Sequence, residues 1–464
     1  MHRQLHELDD IRLVHRGNRI LSSLFSTGCS TIRRIGRDDA EAKAMYRFFK
    51  NDRISEEELV ANLSDNCREA ARGKWVVCLQ DTTEINVASH RGRIRPNDPD
   101  LGVTGAAKGL GFFVHPSLVL DASNGTPLGF SDIVLWNRPP NYTARPEGSH
   151  KQVPLEQKES YKWVQSSHNT QAVLQDSAAH MVIVQDREGD IYEQFARVPN
   201  TKTDLLIRAA KDRKVSGGGT LFQRLQEQQT ALNYDVWVPG RGKRAARCAK
   251  VELRYCQVQV ERPGTAVNKE QLPATVTLWA VEVRETGYSG EDALLWRLLT
   301  TVDLGDGYDA RMMAEWYSWR WTIEEIFRIV KKEGFDVERS ELETGAALRK
   351  LMLLVMQTAL SLLLMRFCYA EPEGEGLPAE ACFSAEQQAC IEALIPQWEG
   401  KTQKQKNPFP KASLRRSVWL MARMGGWKGY EHKRHPGITC LWIGLKHFTS
   451  AMQGWAINRN VSTR

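Results

Sequence analysis

The chain has 464 residues, 42% hydrophobic and 26% charged, with 63 Lys plus Arg against 56 Asp plus Glu and a net charge of +7. This composition excludes a disordered or fibrous protein, gives room for roughly two to four domains, and permits an anionic partner without demanding one. Nine cysteines occur without any CxxC pair, which excludes a disulfide framework and a structural zinc site and fits a reducing cytosol.

The opening MHRQLHELDDIR carries no apolar signal-peptide region. IRLVHRGNRILSSLF reads as a basic amphipathic helix and AEAKAMYRFFKN as another. Ser55, with Glu58 three residues later, caps SEEELVANL. Arg12, His15, Arg16, Arg19, Arg33, Arg34, Arg37, Lys43, Arg47 and Lys50 make this helical segment basic, which suits DNA binding. From Lys74 the pattern changes to strands. WVVCLQ runs into Asp81, and GFFVHPSLVLDASNGTPLGFSDIVLW reads as a hairpin about Ser123-Asn124-Gly125. A helix over 158–178 leads into HMVIVQ, which runs into Asp186. DLLIRAAKD, VELRYCQVQVE, ATVTLWAVEVRE and LLWRLLTTVDL follow as strands, with the basic loop RGKRAARCAK between the first two. A helix beginning near Asp309 carries Glu324. The apolar run Leu351–Met365 contains Gln357, Thr358 and Ser361 and lies between Lys350 and Arg366, so it reads as a core helix, with no membrane partner. The remainder is mostly helical.

Tyr317, Arg320, Glu324 and Lys331 are spaced three, four and seven residues apart in YSWRWTIEEIFRIVKK. A continuous helix would project all four from one face. Asp81 and Asp186 each end an apolar strand, at the rim of a sheet where ligands reach. Taken singly, a helical charge stripe is commonly a solvated face and a strand-end Asp a turn former. Together, three carboxylates from separate elements can hold two divalent ions about 3.5–4 Å apart, and oxygen-only ligands favour Mg²⁺, with Mn²⁺ as a substitute. That is equipment for in-line phosphoryl transfer. Glu84, Glu188 and Asp190 read as surface, supporting or solvated turn residues.

With these residues the chain resembles the Tn-five-like DDE transposases of the bacterial insertion-sequence-four group. The matches are DTT at Asp81–Thr83, DREGDI at Asp186–Ile191, the Tyr317/Arg320/Glu324/Lys331 signature, YRFFKN (46–51) followed by IS, and MARMGGW (421–427). The resemblance implies an α/β fold with an RNase H-like catalytic core over 71–365. A β-strand insertion would occupy about 200–300, a helical DNA-end-binding domain 1–70, and a helical dimerisation domain 366–464. It implies a cut-and-paste enzyme of the bacterial cytosol, acting on double-stranded DNA as a homodimer that bridges inverted-repeat ends and joins them to target DNA. Asp81, Asp186 and Glu324 would be the metal-binding catalytic trio. Tyr317, Arg320 and Lys331 would hold phosphates, Trp296 would stack a flipped base at a hairpin, and Phe112 and Phe113 would help wall that pocket. Arg208, Arg241, Lys243, Arg244 and Arg247 would contact DNA, while Ala210 stands where relatives can carry a base. Trp419, Met421, Met424, Trp427 and Trp442 would supply the dimer surface. The chain reaches its LDDIR segment sooner than the family pattern does. A catalytically silent DNA-binding derivative and an RNase H-like nuclease are the competing readings.

Overall fold

The computed structural model describes residues 4–105, 109–139, 142, 153–238, 240, 245–267, 269–331, 334–370, 376–429 and 435–462. It opens with helices α1 (Ile11–Thr27), α2 (Ile32–Ile35), α3 (Asp39–Phe49) and α4 (Glu56–Ala70). Their starts follow local chemistry. The Asp10 and Asp38 carboxylates accept first-turn N–H groups, and Ser55 and Glu58 form the expected capping box. Helix α1 buries Val14, Gly17, Ile20, Leu21 and Leu24, the stripe its helical period dictates. It ends at Gly28, whose φ of 56° is left-handed backbone and whose missing Cβ leaves room for the Trp442 indole.

Next come β1 (Trp75–Gln80), β2 (Thr83–Asn86), β3 (Gly111–Asp121), β4 (Pro127–Trp136), α5 (Tyr161–Leu174), β5 (His180–Gln185), α6 (Tyr192–Arg197), β6 (Thr203–Arg208), α7 (Leu221–Gln226), β7 (Leu232–Val238), β8 (Arg247–Glu261), β9 (Thr275–Glu285) and β10 (Leu295–Thr300). The strands form one ten-stranded mixed sheet. Strands β1 and β2 share one edge of β3 in a single register, Gln80 opposite Ser117 and Thr83 opposite Val114, while β4 takes the other edge. On the far side of β1 come β5 and β6, both parallel, and then antiparallel β10, β9, β8 and β7. The expected hairpin is β3–β4. Its turn contains Gly125 at φ 75°, a conformation that favours glycine. Elements β2, β7, α6 and α7 were not legible from periodicity. The first is only four residues long, and β7 alternates partly buried with exposed side chains until its last residue.

Helices α8 (Gly307–Ser318), α9 (Trp321–Lys331), α10 (Gly345–Ala370), α11 (Ala385–Trp398), α12 (Leu414–Met424) and α13 (Ile438–Ser462) complete the chain. Helix α10 is long and apolar enough to cross a membrane, but 83% of its apolar stretch is buried inside the protein. It runs through residues 365 and 366 and joins N-terminal, sheet and C-terminal side chains in one apolar cluster. A second cluster lies on the opposite face of the sheet, beneath α5 and α6.

Candidate active site

Strand alternation decides which side chains meet. In β1, Val77 and Leu79 belong to the cluster shared with α8 and α9, and Val76 and Cys78 to the cluster beneath α5. One step further, Gln80 continues toward α5 and Asp81 toward α9. In β5 the same alternation sends Gln185 toward α5 and Asp186 toward α9. Asp81 is not at a free strand end. It fills the gap between β1 and β2, where the register sets Asp81 and Thr82 across from Pro116 and His115. Pro116 has no N–H to give, so the ladder opens at the acid.

The helix facing these acids is broken. We expected one continuous stripe, but α8 ends at Ser318, Trp319 and Arg320 form a turn, and α9 starts at Trp321. Arg320 N–H donates to Tyr317 C=O at 3.1 Å, a tighter turn than the α-helix provides. The break drives the Arg320 side chain into the acids. Its Nη1 donates to Asp81 at 2.8 Å, and its Nη2 lies 3.0 Å from Glu324 and 3.7 Å from Asp186. Tyr317, 2% exposed, donates its hydroxyl to Asp186 at 3.2 Å. Among the described residues, side chains with mutually close metal-ligating atoms are His6, Glu7 and Asp65, an exposed group remote from this cluster. The three acids instead converge on a guanidinium. Lys331 sits at the end of α9, two turns beyond Glu324.

Burial pushes the Asp81 carboxyl up to about 6. The Arg320 charge opposes that rise, and Glu324 and Asp186 add to it. Burial also raises the Tyr317 hydroxyl, which keeps its proton and remains a donor. On the other side of the opening, His115 is fully buried. The Thr82 hydroxyl meets its Nδ1 at 2.9 Å and the Trp163 ring lies edge-on at 4.6 Å. Burial, then the Lys162 charge, lowers His115 from 6.5 to about 3. The unfolded chain therefore takes a proton that the folded chain refuses. This contribution to stability is complete above the unfolded value and is lost as pH falls toward about 3, by up to about 1.4 kcal/mol per pH unit. His115→Gln is expected to flatten the decline in urea-unfolding free energy below about pH 6. An unchanged slope would assign the acid sensitivity elsewhere.

Trp296, on β10 across from Val283, is partly buried and meets the Tyr317 ring edge-on at 5.5 Å. Arg208, on β6, donates to Leu295 C=O at 3.2 Å beside it. Arg247 is occupied: it pairs with Glu285 at 2.7 Å and Asp292 at 3.1 Å and lies over the Tyr288 ring. Arg241, Lys243 and Arg244 lie outside the described residues. Phe112 and Phe113 are core side chains, 0% and 8% exposed, the second stacked on Trp136. Asp190 is not a solvated turn. It is buried, pairs with Arg213 at 2.5 Å and accepts the Ala210 N–H at 2.8 Å. Glu188 is exposed and pairs with Lys162, and Glu84 accepts the Gly105 N–H. Of the residues expected at the dimer surface, three are buried and two are partly exposed. Trp419, Met421 and Met424 are buried, Trp427 packs on Tyr369, and Trp442 donates its indole N–H to Gly28 C=O at the end of α1. Nearer the N-terminus, Arg12, His15, Arg16, Arg19 and Arg37 line a groove of about 430 Å³.

Residues 4–54 match the family model described as transposase DNA-binding, and residues 148–363 match that described as transposase DDE domain. Over 78 residues the chain is 33% identical to protein TCL1B5 of Mus musculus, across 16% of this chain and 61% of that protein. Among solved structures, a piggyBac transposase synaptic complex with hairpin DNA aligns with a TM-score of 0.33 and 9% identity, over 90% of this chain and 66% of that one. The chain thus spans less than two thirds of the length of either.

Proposed function

We propose that this chain, which carries a transposase DNA-binding domain followed by a transposase DDE domain, is a cut-and-paste transposase of the Tn-five-like group. The observation that carries the reading is the convergence of Asp81, Asp186 and Glu324, from three separate elements, on the Arg320 guanidinium. The order β4-β3-β1-β5-β6, antiparallel and then parallel, supports an RNase H-like core with β7–β10 as its insertion.

The donor set fits a hard divalent cation: its ligands are carboxylate oxygens, and the cluster already gathers around one positive charge. Asp81, Asp186 and Glu324 would hold two Mg²⁺ or Mn²⁺ ions, which when bound supply a nucleophile at neutral pH and charge stabilisation at phosphorus. Arg320 would exchange its carboxylates for a strand phosphate, where its planar fork donates two parallel bonds. Lys331 would add a point charge further along α9, and Tyr317 would keep Asp186 oriented. Trp296, beside Tyr317, would receive a base driven from the stack by a tight DNA hairpin. Water would nick one strand, the freed 3′-OH would attack the opposite strand to close the hairpin, a second water would open it, and the 3′-OH would join target DNA. Two subunits would bridge the two ends. The seat of Trp442 on α1 supports C-terminal helices that hold the DNA-binding helices in place.

The test is a time course on duplex DNA bearing the inverted repeats that flank the gene, with MgCl₂, resolved on denaturing gels. Nicked, hairpin and double-strand-break products are expected in that order. Binding without cleavage would identify a catalytically silent derivative, and preferential cutting of RNA–DNA hybrids would identify a nuclease. In the same assay Trp296→Ala is expected to spare the first nick and slow the hairpin steps, because lost stacking costs roughly 1–3 kcal/mol where the base is flipped. Equal loss at every step would make Trp296 a packing residue.

A further inference from the structure

Two of the three converging acids are each preceded by a glutamine, Gln80 before Asp81 and Gln185 before Asp186. We infer that Gln80 and Gln185 form a buried amide clamp that sets the spacing of Asp81 and Asp186, and that both are positioning residues for the metal-holding site. The pair lies one residue beyond the Leu79–Val184 register of β1 and β5, with Gln80 still across from Ser117 of β3 and Gln185 still across from Ile207 of β6. Both side chains are fully buried, and Gln185 Nε2 donates to Gln80 Oε1 at 2.7 Å. Gln185 Nε2 also reaches Ser167 Oγ of α5 at 3.2 Å, and Gln194 of α6 donates to the same Oγ at 2.8 Å. Gly189 presses on the clamp from the turn after Asp186. A Cβ there would stand 2.3 Å from Gln185 Oε1, so the turn closes over the amide only because residue 189 is glycine.

Stability does not account for this arrangement. Among the described residues, Gln80 Nε2, Gln185 Oε1 and Gln194 Oε1 are buried without a hydrogen-bond partner. Two leucines would simply continue the apolar faces of β1 and β5, whereas buried unpaired amide atoms are costly. Such a local cost is expected where function sets geometry. The clamp ties the two strands from the face opposite Arg320, so each acid leaves its strand from a fixed point.

The inference rests on the metal-holding role proposed for the acids. The experiment titrates the full-length, DNA-free chain with Mn²⁺ alone and records thermal melting in parallel. Gln185→Leu strands the Gln80 amide, so the deciding variant is Gln80→Leu with Gln185→Leu, which removes both polar ends. The double variant is expected to melt at or above the wild-type temperature and to bind Mn²⁺ at least about tenfold more weakly, the scale on which supporting partners of metal ligands act. Unchanged Mn²⁺ affinity in the double variant would overturn the clamp. A double variant that does not fold would also overturn it, by making the pair a stability element. Asp186→Asn separates the two ideas. If it loses Mn²⁺ binding while the double variant keeps it, the clamp fails and the metal role stands. If it binds as wild type, the metal role fails and the clamp with it.

Discussion

Glu324→Gln is expected to abolish divalent-cation-dependent nicking of end DNA while leaving end binding within a few-fold. Glutamine keeps the shape and an oxygen that can still accept from Arg320, which donates to Glu324 at 3.0 Å, so the turn between α8 and α9 should persist. The variant loses one of the three negative charges that face a single point. Charge stabilisation of several kcal/mol at phosphorus depends on that set, and about 4 kcal/mol corresponds to roughly a thousandfold in rate. Asp81→Asn and Asp186→Asn should behave alike. Cleavage at a near-normal rate by any of these variants would remove that residue from the trio. The measurement is single-turnover nicking, with end binding by gel shift as the control.

Arg320→Ala should be destabilising without metal and recover with it. Arg320 is 6% exposed, and removing it leaves three carboxylates facing one another. Stranding a fully buried partner costs roughly 3–5 kcal/mol, but the acid side chains keep 23%, 32% and 35% of their surface exposed, so screening brings the expected loss nearer about 2 kcal/mol. Saturating Mn²⁺ should raise the melting temperature of the variant more than that of the wild type, because the cation takes the place of the guanidinium. Strand transfer should stay impaired, since a charge-assisted phosphate contact of roughly 1.5–3 kcal/mol is gone. Equal Mn²⁺ shifts in the two proteins would show that cation and guanidinium do not share the site.

Much of this site could be read from residue order. An apolar run that stops at an acid, as in VVCLQD and VIVQD, marks where a buried strand ends, since burial of a lone carboxylate is costly, although Asp81 fills the gap between β1 and β2 and not a free rim. The capping box at Ser55 and the turn at Gly125 were equally legible, because each depends on chemistry within a few residues. Aromatic residues were not. Phe112, Phe113, Trp419 and Trp296 carry similar side chains, yet the first three are buried and only Trp296 stands beside the acids. Asp190 looked like a turn residue because its partner Arg213 lies 23 residues away, on the far side of β6.

The sequence alone determined the elements that obey local periodicity, the points after Gln80 and Gln185 where two apolar strands stop, and the stretch holding Tyr317, Arg320 and Glu324. Tertiary structure decided how these meet. A helical repeat continues through Trp319 and Arg320, yet the helix breaks there, and the chain turns to bring Arg320 to Asp81, 239 residues earlier in the chain. The amide pair of Gln80 and Gln185 spans 105 residues. Periodicity and capping are energies of neighbours within about one turn, so they leave their mark in the order of residues. Contacts across hundreds of residues form only when burial of the whole core outweighs the entropy of closing the loops between them, and no local pattern records which distant partner that closure selects.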